Sequence, residues 1–343
     1  MSEKLRAVLV GCGGMSGAWL KAAEQIEAVE IVGLVDLMPA NAEKRREEFG
    51  LDGVRTGTDL VEMLEAETPD VVFDCTVPEA HTQTAVTALG RGCHVLGEKP
   101  LSDSMDNARR AVAAAEQAQR IYAVIQNRRY DPNIRRLRRL LDSGAVGPLT
   151  TANSDFYIGA HFGGFRDRME HVLLLDMAIH TFDAARLITG ADPVSVYCRE
   201  WNPAASWYDH DASAVAVFEM SGDVVYTYRG SWCAEGMHTT WECDWRLIGQ
   251  RGTLLWDGGE DIRGEAVKKV EGFQSEKQAI EPLGPESGDR VGGHLGLMRE
   301  FVECVSNGQQ PETHCADNIK SLSMVFGAIE SAKRGVPVAI ADL

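Results

Sequence analysis

The stretch VLVGCGGMSGAWL, residues 8–20, constrains the fold more tightly than any other part of the chain. An apolar run ends abruptly in glycines and passes into a helical pattern, so the backbone must turn sharply from strand to helix. Gly11, Gly13 and Ser16 occupy the G-x-G-x-x-G/A spacing. The first position permits the turn, the second lets the backbone approach a pyrophosphate, and the third must be small for helix and strand to pack. The following helix N-terminus offers free N–H groups and a partial positive charge to phosphates. The next apolar run, EIVGLVD, ends in Asp36, twenty residues beyond Ser16. A carboxylate there can accept hydrogen bonds from the hydroxyls of an adenosine ribose and repels a 2′-phosphate, so NAD is expected in preference to NADP.

The same alternation continues downstream. Apolar runs LRAVLV, EIVGLVD, DVVFDCT, CHVLGE and IYAVIQ are separated by helical patterns at 14–27, 39–49, 78–91 and 103–119. Repeated strand–helix units of this kind build a parallel sheet with helices on both faces, and residues 1–125 are expected to form such a Rossmann-type domain. Residues 126–343 read differently. PVSVYCREW, ASAVAVFEM, VVYTYRGSW, TTWECDWRLIG and TLLWDGG are strand-like, with SGD at 221–223 and GQRG at 249–252 as turns. In WECDWRL, Trp241, Cys243, Trp245 and Leu247 alternate with polar residues, which predicts one buried face. The expectation is an α/β domain on an antiparallel sheet, with helices at 293–306 and 317–334, a last strand VPVAI, and loop or irregular hairpin over 258–292.

Composition closes off other classes. At 343 residues the chain has room for about two domains. A formal net charge of −17 opposes phosphate backbones and anionic lipid, so nucleic-acid and membrane partners are not expected. The eight cysteines form no C-x-x-C pair and suit reduced, buried thiols. The first apolar run begins at Leu5, which leaves no space for an export signal. A cytoplasmic location is the resulting expectation.

Two further motifs carry chemistry. CHVLGEKPLSD leaves Glu98 and Lys99 at the carboxyl end of a parallel strand, the edge at which open α/β sheets bind ligands. Pro100 restricts Lys99 to extended geometry and permits a cis bond, which would aim its ammonium group. In TVPEAH, Thr76 ends another strand and His81 falls in the next helix, where it either lines the nicotinamide ribose or packs and caps. LLLDMAIHTFD, residues 173–183, reads as a helix apolar nearly all round, yet it carries Asp176, His180 and Asp183 on one projected stripe bordered by Val172, Ile179 and Leu187. A buried helix obliges such groups to find partners. Ligand-type residues elsewhere are too scattered for a metal site, and none is expected.

The ordered motifs GCGGMS, TVPEAH, GEKP, QNRRYDP and DMAIH, with the closing REFVECVSNGQQPET and AIESAKRGVPVAI, resemble the glucose-fructose oxidoreductase, inositol dehydrogenase and MocA family of NAD(P)-dependent oxidoreductases. The resemblance covers nearly the whole chain. It implies a Rossmann domain followed by an α/β domain with a large, mostly antiparallel open sheet, and a carbohydrate, cyclic polyol or sugar derivative as substrate. Separately, the strand aromatics Tyr226, Tyr228, Trp241 and Trp245 suggest that both faces of the second sheet are covered, either by a second subunit, for which a homodimer or homotetramer is expected, or by the chain's own helices. The resemblance also implies that Lys99, Asp176 and His180 meet around a substrate carbon beside the nicotinamide. The cofactor contacts expected with it are Gly11, Cys12, Gly13, Gly14, Met15, Ser16, Asp36, Leu37, Thr76, Pro78, His81, Glu98, Lys99 and Asn127. Candidate substrate contacts are Lys99, Arg128, Tyr130, His161, Arg166, Arg168, Asp176 and His180, with Trp207 and Asp209 as additional hydroxyl partners. GGFRDRMEHVLLL departs from the family by lacking its small glycine-rich run, which leaves the substrate open.

The chemistry expected is hydride transfer. His180 takes the hydroxyl proton, because imidazole titrates near neutral pH, while Lys99 donates to the developing alkoxide and Asp176 orients substrate or imidazole. Two other readings use the same fold: a glycoside hydrolase that oxidises transiently and regenerates its NAD, and a non-enzymatic dinucleotide-sensing regulator.

Overall fold

The computed structural model describes residues 4–281, 283, 284, 286 and 290–343. Its contacts divide the chain into two compact units, residues 1–130 with 290–322 and residues 131–289 with 323–343.

In the first unit the apolar runs become strands, and the glycine and proline punctuation sets the helices between them. In chain order these are β1 (Leu5–Val10), α1 (Ser16–Glu24), β2 (Val29–Val35), α2 (Pro39–Glu48), β3 (Arg55–Gly57), α3 (Leu60–Glu67), β4 (Val71–Asp74), α4 (Pro78–Leu89), β5 (His94–Gly97), α5 (Met105–Ala118) and β6 (Tyr122–Val124). Pro39 and Pro78 stand at the first helical positions, where a missing N–H costs nothing. Asp59 and Ser104 cap α3 and α5 through their side chains. The strands pair in parallel in the order β3-β2-β1-β4-β5-β6. That order reverses direction between β1 and β4, and the crevice outside their carboxyl ends is where such sheets take ligands. Every residue of β4 is buried, as expected of a strand covered on both faces.

A helix from near the end of the chain completes this core. α8 (Gly293–Asn307) places Leu297, Met298, Phe301 and Val302 among Leu9, Trp19, Phe73, Leu96 and Tyr130. The Tyr130 hydroxyl donates to the Glu300 carboxylate, which also receives Arg290.

The second unit is built on α6 (Pro132–Asp142), β7 (Leu149–Tyr157), a π-helical turn (Leu173–Ala178), α7 (Ile179–Thr189), β8 (Pro193–Trp201), β9 (Ser213–Met220), β10 (Val224–Ser231), β11 (Asp244–Gly249), β12 (Gly252–Trp256), β13 (Ile262–Lys269) and β14 (Glu276–Ile280). α9 (Cys315–Arg334), within which the division between units falls, leads to β15 (Val338–Ala339). Among the described residues the sheet runs β14-β13-β12-β11-β7-β10-β9-β8-β15, with β7 and β10 parallel and the other pairs antiparallel. One face is lined by Tyr226, Tyr228 and Phe218, which meet Phe182 of α7 edge-on at centroid distances of 4.9–6.3 Å. These aromatics thus pack against the chain's own helix, in favourable tilted geometry.

Two of three local expectations differ in detail. Trp241 is not on the buried face of its strand. Cys243 adopts φ +71°, the extended run starts only at Asp244, and the Trp241 ring turns to Phe156, Trp232 and Phe162 while remaining half exposed. The stretch 258–292, expected as loop or irregular hairpin, carries an irregular hairpin in its described part, since β13 and β14 pair with a register shift between Val267 and Lys269; residues 282, 285 and 287–289 lie outside the described residues. The helix beginning at Leu173 opens with its π turn, which inserts an extra residue per turn and re-phases what precedes α7. Asp183, in α7 with His180, is buried with Phe182 and Ala184, while Asp176 and His180 stay half-buried.

Phe301 is fully buried in a core that α8 shares with residues of the N-terminal strands and helices, distant from it in sequence. Phe301→Ala should cost about 3–5 kcal/mol of stability, read as a lowered urea midpoint. A loss well under 1 kcal/mol would mean that α8 is not packed as described.

Candidate functional site

The first unit presents a cleft at the carboxyl edge of β1, β2 and β4. It has a volume of about 590 Å³ and is lined by Gly11, Gly13, Asp36, Leu37, Met38, Thr76 and Val77, among others. Gly11 makes the turn at φ +87°, and a Cβ there would lie 2.6 Å from the Cys75 carbonyl group, so no other residue fits. Gly13, Gly14 and Met15 are exposed along the turn, whereas Cys12 and Ser16 face inward.

Asp36 is held in place. One carboxylate oxygen accepts the Cys12 N–H at 2.7 Å, and the other accepts the Met38 N–H at 2.8 Å and the Asn41 side chain at 3.1 Å. Leu37, 88% exposed, and Val77, 61% exposed, leave apolar surface at the cleft for the face of an aromatic base.

His81 answers the question its motif raised. It is fully buried, with Nδ1 3.0 Å from an Asp74 oxygen, and the Thr76 hydroxyl donates to the other oxygen of the same carboxylate at 2.6 Å. Burial lowers the imidazole pKa, but the Asp74 charge and hydrogen bond outweigh it and the net shift is upward. The pair fixes the carboxyl end of β4 from behind. Pro78 begins α4 beside it.

The EKP turn follows β5. Lys99–Pro100 is cis. Glu98 is buried and accepts the Trp19 indole N–H at 2.8 Å, while the Lys99 N–H reaches its second oxygen at 3.2 Å. His294, from the first turn of α8, sits 3.9 Å from Glu98 and 3.3 Å from the Asn127 amide. Burial alone would raise the Glu98 pKa. Neighbouring His294, the indole N–H and the Lys99 charge prevail, and the carboxyl lies below its ordinary value. Nothing near Gly293 in the sequence identifies His294 as a partner of this turn, because the contact spans almost 200 residues.

In the second unit Asp176 belongs to the π turn and His180 to the first turn of α7. Arg166 grips Asp176 with two nitrogens, at 2.8 and 3.3 Å, and its guanidinium lies 4.9 and 4.8 Å from the ring centroids of Phe162 and Phe165. Arg166 is therefore a partner of the motif carboxylate. His161 stacks on Trp207 at 3.7 Å and reaches Glu235 at 2.8 Å, and the Trp207 and Tyr208 side chains both donate to the Ala160 carbonyl. The Asp209 N–H donates to the Asp167 carbonyl, which ties this loop to the segment carrying Arg166. Arg168 is exposed, and Asp209 lines a polar hollow of about 350 Å³ with Glu170, His171 and His210.

Of the remaining candidates, Asn127 and Arg128 begin the 3-10 turn after β6 and are half-buried. Tyr130 ends that turn with its ring in the core and its hydroxyl on Glu300. Among the described residues no group of three or more His, Cys, Asp or Glu side chains is arranged to hold a metal ion, and no helix is long and apolar enough to cross a membrane.

Comparison with known proteins bears on the family and the fold. Residues 5–126 match the model of an oxidoreductase family with an NAD-binding Rossmann fold, GFO/IDH/MocA, and residues 134–255 match a GFO/IDH/MocA C-terminal domain. The chain is 28% identical to a D-apiose dehydrogenase of Paraburkholderia graminis, over 99% of this chain and 91% of the relative. It is 24% identical to the scyllo-inositol 2-dehydrogenase (NAD(+)) of Bacillus subtilis, over 98% and 97%. Its fold is shared by an oxidoreductase from Agrobacterium radiobacter solved with NAD+, L-tartaric acid and magnesium, at a TM-score of 0.86, 22% identity and 99% coverage of both chains.

The buried Asp74–His81 pair makes stability depend on pH with a defined sign. A folded pKa raised above the ordinary 6.5 gives stability that is complete below that value and is lost as pH rises through the folded pKa. The advantage of wild type over His81→Gln in urea unfolding should therefore be full below pH 6.5 and shrink as pH rises above it through the raised folded pKa. An advantage that grows with pH would rule out the pair as described.

Proposed function

Because the chain belongs to the GFO/IDH/MocA family of oxidoreductases, we propose that it moves a hydride between NAD and a hydroxyl-bearing carbon of a sugar, cyclic polyol or sugar derivative. The observation that carries the reading is the cleft of the first unit, where an anchored carboxylate stands beside a glycine turn. Relatives matched over almost their whole length and named as D-apiose and scyllo-inositol dehydrogenases support the substrate class.

Within this reading Gly11, Gly13, Gly14 and the start of α1 hold the pyrophosphate, and Asp36 takes the adenosine ribose hydroxyls. Asp36 is already oriented by three donors, so its charge is fixed where a 2′-phosphate would lie, and NAD is preferred over NADP. Bound NAD supplies the hydride acceptor. His180 removes the proton of the substrate hydroxyl, and Lys99 donates to the oxygen as it becomes an alkoxide. Glu98 holds the Lys99 backbone through its N–H, and Asp176, clamped by Arg166, borders His180 as a fixed acceptor for substrate hydroxyls. The outer face of the second sheet carries Tyr197 opposite Val217, both more than a third exposed, and this face is proposed to meet a second copy of the chain.

A screen of NAD and NADP against inositols, monosaccharides, glycosides and their keto forms, followed by nicotinamide absorbance, tests the proposal directly. Turnover with at least one polyol or sugar is expected; tight NAD binding without turnover across the panel would favour a sensor. With the substrate in hand, His180→Ala should lower turnover about 10²–10⁴-fold with NAD affinity within about twofold. Unchanged turnover would remove His180 from the chemistry. Asp36→Ser should narrow the preference for NAD over NADP by about tenfold, measured as the ratio of dissociation constants.

A further inference from the structure

The glycine turn departs from the commonest pattern at its third small position, where Ser16 stands. Its side chain is fully buried, and its hydroxyl donates to the Gly13 carbonyl at 2.6 Å. The same oxygen accepts Nε of Arg45 at 2.9 Å. Arg45 comes from α2, and its Nη2 donates to the Gly13 carbonyl at 2.6 Å and the Gly14 carbonyl at 3.3 Å, while Nη1 pairs with Glu48 at 2.5 Å. The guanidinium lies 3.3 Å from where a Cβ on Gly17 would be, which accounts for a second small residue beside Ser16.

The consequence follows from the planarity of the peptide group. In a trans peptide the C=O of one residue and the N–H of the next point in opposite directions. A guanidinium that draws the carbonyls of Gly13 and Gly14 to one side therefore turns the N–H groups of Gly14 and Met15 to the other. Gly13, Gly14 and Met15 are the exposed part of the turn, and no atom lies within 4 Å of a Cβ built on Gly13 or Gly14. Glycines in such an open stretch have many alternatives, and an anion-binding turn gains from having them removed in advance.

We propose that Arg45 and Ser16 act together as a positioning pair, fixing the Gly13 and Gly14 carbonyls so that the amides of Gly14 and Met15 face the pyrophosphate of the dinucleotide. The assignment rests on the dinucleotide reading above and adds a part of the phosphate site that lies 29 residues downstream of the turn, on a different helix. The Arg45 charge also bears on the turn. The buried Cys12 thiol is pushed up to about 12 by burial and by Asp36, and Arg45 opposes the carboxylate there. In a chain of net charge −17, a fixed cation behind the turn offsets part of the repulsion that a pyrophosphate beside Asp36 would meet.

Calorimetric titration of the full chain with ADP-ribose and with adenosine, which lacks the pyrophosphate, separates positioning from general loss of structure. Arg45→Gln should weaken ADP-ribose binding about tenfold and leave adenosine within about twofold. Arg45→Lys keeps the charge but cannot span Ser16, Gly13 and Gly14 with one rigid fork, so it should lose most of the same affinity. Ser16→Ala should weaken ADP-ribose in the same selective way, and the double variant should lose less than the product of the two single losses. Equal losses for both ligands, full recovery with Lys, or independent effects of the two sites would each overturn the pair. Wild-type protein that binds neither ligand would overturn the dinucleotide reading along with it, whereas tight wild-type binding unaffected by Arg45→Gln would overturn the pair alone.

Discussion

The cleft of the first unit depends on the close approach of Gly11 to the end of β4. Its α-carbon passes so near the Cys75 carbonyl and the Thr76 N–H that a single methyl group would collide at 2.6–2.7 Å. This contact brings the turn after β1 down onto the neighbouring strand and leaves Gly13 and Gly14 free at the rim. It also sets the level at which Thr76 and the buried Asp74–His81 pair must stand. The pair makes that strand end stiff, because an unpaired carboxylate in this position would carry a heavy desolvation penalty. Packing and polar satisfaction thus meet at one point on the sheet, the point where strand order reverses.

Charge is arranged by fixed partners within each unit. Asp36 is oriented by two backbone amides and Asn41, Glu98 by an indole and an imidazole, and Asp176 by a stacked guanidinium. In each case a carboxylate reaches its place through donors supplied by an element distant in sequence or on the opposite side of a turn. Such preorganisation means that little side-chain freedom is lost on binding a polar ligand. It also explains how a strongly acidic chain can offer a site to a phosphate-bearing cofactor, since the local donors rather than the net charge decide the field at short range.

Much of the fold was legible in the order of residues because its determinants are local. Strand–helix alternation, glycine turns, prolines at helix starts and the period-two runs of the second half depend on neighbours a few positions apart, and the parallel and mostly antiparallel sheets follow from them. The parts that were not legible are long-range or depend on a single dihedral. Trp241 reads as a strand residue until the positive φ of Cys243 interrupts the run. Tyr130 reads as an available hydroxyl until α8, some 170 residues later, supplies Glu300. The same holds for the candidate site. Gly11, Asp36 and the EKP turn are visible as motifs, but His294 and Arg45 belong to no motif, and Arg166, a candidate substrate contact in the sequence, makes two bonds to Asp176 that its position there does not announce.

The π turn deserves weight for the same reason. An uninterrupted α-helix from Leu173 to Thr189 would set Asp176 on one stripe with His180, four residues later. The extra residue in the first turn re-phases Asp176, whose carboxylate meets Arg166 beside Phe162 and Phe165, while Asp183 faces the core beside Phe182 within α7 itself. A π turn is less favourable than the α geometry it replaces and persists where surrounding contacts over-determine it. Among those contacts are the two bonds from Arg166, itself beside Phe162 and Phe165, so the segment before the helix takes part in deciding where the Asp176 carboxylate points.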